Sequence, residues 1–264
     1  MSITPTPMAE PTLIDVGQGP PVLLLHGTAP GTTAAANFTR LLPALTGYRA
    51  IAPDLIGFGA SPKPAGADYG PALWVDQAFT LLDDLGVDRV VLIGNSLGAR
   101  IALTMATTQP DRVRGMVLMS ARLHPSKSAA QDLIRAYRPD PAAMANLLRE
   151  CFATDPATVT PEMVQERYRA SAAPGAHDAI QAMFRALPAA GPGPRPDQLR
   201  SLRMPALVVS GRDDRIVPSA DALELTALLP NADLHVLAGT GHWFPLERAD
   251  TFAALVTDFL ERLA

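Results

Sequence analysis

Short apolar runs recur along the chain without strict alternation, and between them lie longer stretches whose apolar positions repeat at helical spacing. The runs at 12–16, 22–25, 49–52, 89–93, 113–119, 205–210 and 234–237 are rich in Val, Ile and Leu, the composition of strands buried on both faces of a parallel sheet. Gly17-Gln18-Gly19-Pro20-Pro21 turns the first run back toward the second. Helices are predicted at 35–45, 73–85, 96–108, 219–229 and 248–263. Strand and helix in alternation predict an α/β fold, a mostly parallel sheet of about seven strands flanked by helices.

The alternation stops between 121 and 196, where helical stretches follow one another with no convincing strand. Helices are predicted there at 129–137, 141–152, 161–171 and 176–187, and Thr160 before Pro161 makes an N-cap with proline at N1. The stretch 188–196 holds four prolines and two glycines and reads as a linker back to the sheet. The division expected is a core built from 1–120 and 197–264, with a helical cap, or lid, at 121–196. No internal repeat is visible.

Composition narrows the classes of function. With 264 residues, 48% hydrophobic and 18% charged, the chain can bury one large core and carry a small inserted subdomain. A formal charge of -4, with no arginine or lysine cluster among aromatics, gives no footprint for nucleic acid. Cys151 is the only cysteine, so no internal disulfide forms and a reducing compartment is expected. Residues 1–10 have neither basic residues nor an apolar segment, and no run approaches the ~18 apolar residues of a membrane span. A cytoplasmic protein without membrane attachment is therefore expected.

Chemistry concentrates at Gly94-Asn95-Ser96-Leu97-Gly98, which joins the run ending at Ile93 to a predicted helix. A serine on so sharp a strand-to-helix turn, with a glycine at each end where backbones meet, is the nucleophile elbow of an α/β-hydrolase. A serine hydroxyl is a poor nucleophile near neutral pH, so it needs a base, and the base needs an orienting acid. Of five histidines, His26 ends a strand, His124 and His177 lie in the expected cap, and His235 sits within a strand. His242 stands in Gly239-Thr240-Gly241-His242-Trp243, a loop following the last strand at the carboxyl edge where ligands bind in open α/β sheets. Asp214, in Gly211-Arg212-Asp213-Asp214 after the run at 205–210, completes the chain order nucleophile, acid, histidine. Transition-state charge calls for an oxyanion hole, and the backbone amides of Leu97 and of Thr28, in His26-Gly27-Thr28-Ala29-Pro30-Gly31, are the candidate donors. Gly57-Phe58-Gly59 lacks the third glycine and the setting of a dinucleotide fingerprint and reads as a structural turn. No metal-ligand spacing or phosphate loop is found, so neither cofactor nor metal is expected.

From about Pro20 onward the chain resembles the meta-cleavage product hydrolases, the carbon-carbon bond hydrolases of bacterial aromatic-ring degradation. The likeness rests on the His26–Gly31 stretch with Asn37-Phe38 beyond it, Pro53-Asp54-Leu55-Ile56-Gly57-Phe58-Gly59, the Ser96 pentapeptide, Gly211-Arg212-Asp213-Asp214-Arg215-Ile216-Val217-Pro218 and Gly241-His242-Trp243. Glu166-Arg167-Tyr168-Arg169-Ala170-Ser171 is similar to the family's arginine-bearing cap helix. The resemblance implies a vinylogous 1,5-diketone substrate with a terminal carboxylate, split by water into a 2-hydroxydienoate and a carboxylic acid. It implies that Ser96, Asp214 and His242 form the triad and that Asn37, Asn95, Arg167 and Trp243 bind the dienoate.

One departure concerns Ser120-Ala121-Arg122-Leu123-His124-Pro125, bulkier and more basic than the glycine-rich turn common in the family. Arg122 and His124 either reach the pocket or anchor the cap. A carboxylesterase or lactonase using the same triad is the alternative activity, and a non-catalytic binding protein the third. The partner expected is a small-molecule substrate; assembly with further copies of the chain stays open.

Overall fold

The computed structural model describes residues 13–124, 127–189, 191 and 193–263. The stretch 1–10, Thr12 and Pro125 lie outside these, as do two residues of the expected linker, Ala190 and Pro192. Seven strands form one sheet: β1 (Leu13–Val16), β2 (Pro21–Leu25), β3 (Arg49–Pro53), β4 (Val90–Asn95), β5 (Val113–Met119), β6 (Ala206–Gly211) and β7 (Ala232–Leu237). Their order is β1-β3-β2-β4-β5-β6-β7, parallel throughout except for β1, which runs antiparallel to β3.

Alternate residues of each strand point to opposite faces, and two separate apolar layers result. Leu23, Leu25, Leu92, Met116, Leu118 and Val208 pack on one face against α2 (Pro71–Asp84) and α3 (Leu97–Thr108), among others. Val22, Leu24, Val91, Ile93, Val117 and Val209 pack on the other against α1 (Ala34–Phe38) and Phe252, Val256 and Phe259 near the carboxyl end. Because both faces are covered, every residue of β4 and β6 is buried, which is why the sequence shows runs there and no alternation.

Between β5 and β6 come α4 (Ala129–Ala136), α5 (Pro141–Leu147), a π-helical turn at Leu148–Phe152, α6 (Pro161–Ala172), α7 (Ala176–Ala189) and α8 (Pro196–Ser201), with no strand among the described residues. The Thr160 side chain accepts from the Met163 amide, capping α6 as its sequence requires. This helical insertion has its own apolar cluster of Ile134, Met144, Leu147, Phe152 and Val164. Ile216, Val217 and Trp243, from the loops after β6 and β7, join that cluster. After β6 come α9 (Ser219–Leu228), α10 (Phe244–Glu247) and α11 (Ala249–Glu261).

Three helix boundaries differ from expectation. The helix expected at 35–45 ends at Phe38, and a 3-10 turn follows at Leu42–Ala44, where Pro43 has no N–H to continue an α-helix. The helix expected at 141–152 changes to π geometry at Leu148. α7 continues to Ala189, past Pro188 where the linker was expected to begin. Among the described residues no helix is long and apolar enough to cross a membrane.

The β4–α3 junction depends on two glycines. A Cβ on Gly94 would collide with the Gly98 carbonyl, and one on Gly98 with the Leu25 carbonyl of β2. Both obstacles are backbone, so neither can swing aside. Gly98→Ala is expected to lose about 1–3 kcal/mol or more of stability, read as a lower urea midpoint; an unchanged midpoint would show that the junction tolerates a side chain.

Candidate active site

The carboxyl ends of the central strands converge on one edge of the sheet. Ser96 follows β4 directly, with φ 54° and ψ -107°, and its amide donates to the Met119 carbonyl of β5 at 2.8 Å. Among the described residues only Ser96 and Ser120 combine a side chain with positive φ, and they sit side by side at the ends of β4 and β5. Strained backbone of this kind persists where its surroundings over-determine it, and it marks functional sites. Gly27 lies so close that a Cβ there would sit 3.5 Å from the Ser96 Cβ, which brings the loop after β2 against the serine.

Asp214 and His242 meet. The Asp214 Oδ2 lies 2.8 Å from His242 Nδ1 and also accepts from the Ser120 hydroxyl at 3.0 Å. Its Oδ1 accepts from the amides of Ile216 and Val217 at 2.8 and 2.9 Å. The side chain is wholly excluded from solvent, and His242 nearly so. Burial acts against the Asp214 charge, but the His242 imidazole beside it and the Val217 and Ile216 amides outweigh burial and hold its pKa below the ordinary carboxylate value. A carboxylate held against Nδ1 keeps the proton on that nitrogen and leaves Nε2 to accept one.

Ser120 is a contact that the sequence reading did not assign. The position after β5 offers no carboxylate of its own, but the serine hydroxyl serves the one in the loop after the neighbouring strand β6. Arg122 proves to be an anchor, and His124 lies at the surface. Arg122 donates to the Ile216 carbonyl at 2.6 Å, which also accepts from Gln131 of α4 at 3.0 Å, and His124 pairs with Glu224 at the surface. The Ile216–Val217 peptide thus accepts at its oxygen while its N–H donates to Asp214.

His26, by contrast, is structural. Its Nε2 accepts from the Leu55 amide at 2.9 Å, so Nδ1 carries the proton and donates to the Gly27 carbonyl at 2.8 Å. Complete burial pulls its pKa down to about 4, and the ring stays neutral. Cys151 is no competing nucleophile, since burial pushes its thiol up to about 11. Gly57 and Gly59 have positive φ in a turn around Asp54, whose carboxylate accepts from the amides of Ala34 and Ala60.

Asn37, Asn95, Arg167 and Trp243 line one small cavity of about 20 Å³ with Ala36, Pro245 and Leu246. Two of these, Asn95 and Trp243, are the chain neighbours of Ser96 and His242. Asn37 Oδ1 accepts from the Gly27 amide at 3.0 Å and from Asn95 Nδ2 at 3.1 Å, while the buried Asn95 Oδ1 has no protein partner. Arg167, from α6, is buried; it donates to Thr32 Oγ1 at 2.5 Å and lies over the Trp243 ring, 5.2 Å from its centroid. Burial lowers its pKa to about 10, which leaves it charged near neutral pH. Among the described residues no carboxylate lies within ion-pair distance of it. A groove of about 430 Å³ between α1 and α6 shares Ala36, Arg167, Trp243 and Leu246 with this cavity.

The pattern of the alpha/beta hydrolase family matches residues 22–255. The chain is 41% identical over 260 residues to the 2-hydroxymuconate semialdehyde hydrolase of Pseudomonas sp. (strain CF600), covering 94% of this chain and 89% of that protein. It is 39% identical to the 2-hydroxy-6-oxo-2,4-heptadienoate hydrolase of Pseudomonas putida, covering 95% and 92%. A solved meta-cleavage product hydrolase from Pseudomonas fluorescens superimposes with a TM-score of 0.90 at 34% identity, over 96% of this chain and 94% of that one. The chain belongs to the alpha/beta hydrolase family, and within it to the meta-cleavage product hydrolases.

The lowered Asp214 pKa has a signed consequence. Its stabilising contribution is complete above the free-aspartate value of about 3.9 and is lost as pH falls through the lower folded-state value. The stability of the native chain relative to Asp214→Asn should therefore shrink on acidification below pH ~4. Urea midpoints of the two proteins across pH 2.5–6 test this, and parallel curves would contradict it.

Proposed function

We propose that the protein hydrolyses a carbon-carbon bond in a meta-ring-fission product, a vinylogous 1,5-diketone with a terminal carboxylate, and releases a 2-hydroxydienoate and a carboxylic acid. The observation that carries this reading is Arg167, a buried guanidinium without a carboxylate partner, in a cavity edged by Asn37 and by Asn95, the chain neighbour of Ser96. A buried charge without a counter-ion is costly, and a substrate carboxylate offsets that cost. An ester substrate with no carboxylate gives Arg167 nothing to bind.

In this reading the 2-hydroxyl of the dienol donates to Asn95 Oδ1, the acceptor without a protein partner. Proton transfer converts the dienol to a ketone, which turns the leaving fragment into a stabilised carbanion equivalent. The Ser96 oxygen then bonds to the carbonyl carbon as its proton passes to His242 Nε2, and the backbone amides of Thr28 and Leu97 hold the oxyanion. Leu97 is the first residue of α3, where an amide has no helical acceptor. When the carbon-carbon bond breaks, its electron pair stays on the dienoate fragment, which takes up a proton. Water attacks the acyl-serine with His242 as base and releases the acid. The insertion serves as the cap over this site, with 121–196 as its span and 1–120 and 197–264 as the core. The single cysteine supports residence in the cytoplasm.

The cavity lined by Asn95, the chain neighbour of Ser96, has room for about one water, and a dienoate is several times larger. Binding therefore requires the Arg167–Trp243 pair to yield toward the groove between α1 and α6.

A panel of coloured ring-fission products and a p-nitrophenyl ester, followed by absorbance, tests the reading. Fast bleaching with slow ester release is expected, and the reverse selects an esterase. Ser96→Ala should fold and bind yet turn over at least about 10⁴-fold more slowly; a near-native rate would discard the serine mechanism. Arg167→Ala should raise KM for the ring-fission product by about 10–100-fold, the loss of a charged hydrogen bond, and leave p-nitrophenyl acetate hydrolysis nearly unchanged. An unchanged KM and kcat on the ring-fission product would remove Arg167 from the site.

A further inference from the structure

One carboxylate joins the loop carrying His242 to the helical insertion. Glu247 ends α10, and its Oε2 accepts from the Gly241 amide, immediately before His242, at 2.9 Å. Its Oε1 accepts from the amides of Thr154 and Asp155, in the insertion, at 2.5 and 3.0 Å. Beside this bridge the Trp243 amide donates to the Phe152 carbonyl at 3.2 Å. Contact is so close that a Cβ on Gly241 would stand 2.9 Å from Thr154 Oγ1 and 3.0 Å from the Phe152 carbonyl oxygen. The Phe152 ring then packs edge-on to the His242 imidazole at 5.7 Å and against Trp243 at 5.2 Å.

We propose that Glu247 is a positioning residue, whose two carboxylate oxygens lock the His242 loop to segment 152–155 of the insertion, so that the imidazole and the wall formed by Phe152 and Trp243 are set together. Three backbone donors converge on it from two directions, and only a group that accepts at both ends satisfies them. Glutamine has the same shape but one accepting end; its NH2 must face a backbone N–H on one side or the other. The bridge therefore depends on the carboxylate and not on side-chain volume.

The inference rests on His242 being the catalytic base, which His242→Ala tests separately: that variant should lose turnover, and if it does not, the reading of His242 fails while the bridge stands or falls on its own measurement. That measurement is amide hydrogen exchange with kinetics on Glu247→Gln. In the variant the Thr154 and Gly241 amides should exchange faster together, by about tenfold or more, with those of β4 unchanged. Its kcat on both a ring-fission product and p-nitrophenyl acetate should fall by about 10–100-fold, the effect of a displaced catalytic group. Unchanged exchange at both amides, or native kcat in the variant, overturns the proposal. If the variant does not fold, exchange in the native protein decides: protection of Thr154 and Gly241 within about tenfold of each other supports one unit, and a difference beyond about a hundredfold overturns it.

Discussion

Backbone pressed against backbone at the β4–α3 turn is the constraint from which the rest of the site follows. Gly98 admits the Leu25 carbonyl of β2, and Gly94 admits Gly98 itself, so α3 can leave the sheet at once after Asn95. That sharp exit forces Ser96 into a conformation side chains seldom adopt and places its neighbour Leu97 as the first amide of a helix. The cost of the strained residue, of order 1–3 kcal/mol, is borne by a sheet whose central strands are buried on both faces.

Around this turn the parallel strand order gathers groups that are far apart in sequence. β4, β5 and β6 are neighbours, so Ser120 at the end of β5 stands between the serine after β4 and the aspartate after β6. The Asp214 carboxylate then accepts four hydrogen bonds, from Ser120, His242, Ile216 and Val217, which fix its orientation more firmly than its own loop could. The insertion takes part in the same network: Gln131 reaches the Ile216 carbonyl, and Glu247 gathers amides from both the insertion and the histidine loop. The insertion and the loops carrying Asp214 and His242 thus share supports.

Much of this was legible in the sequence, for physical reasons. Strands buried on both faces appear as apolar runs, and these, together with the partly exposed edge strands β1 and β7, were found within one or two residues. The Gly-x-Ser-x-Gly turn and the order Ser96, Asp214, His242 identified residues of which the acid and the histidine prove to be hydrogen-bonded. Asn37, Asn95, Arg167 and Trp243 were grouped by resemblance and share one cavity. Helix ends were less legible: the helix that the sequence extended to 45 ends at Phe38, before Pro43 is reached, whereas Pro188 did not stop α7. Least legible were Ser120, Gln131 and Glu247. Each acts through a hydrogen bond to a partner supplied by another part of the chain, and no local pattern distinguishes such a residue from a solvated polar one. Arg122 was noticed for its charge, but only the Ile216 carbonyl reveals it as an anchor.

The central claim is that one hydroxyl, at Ser96, is activated by an imidazole whose far nitrogen is held by Asp214. Peptide mapping after reaction with a fluorophosphonate, which phosphonylates an activated serine with loss of fluoride, tests it most directly. The account predicts a single adduct per chain on the peptide containing Ser96, formed at least about 10³-fold more slowly in His242→Ala. An adduct on another residue, or labelling of Ser96 at the native rate without the imidazole, would contradict it.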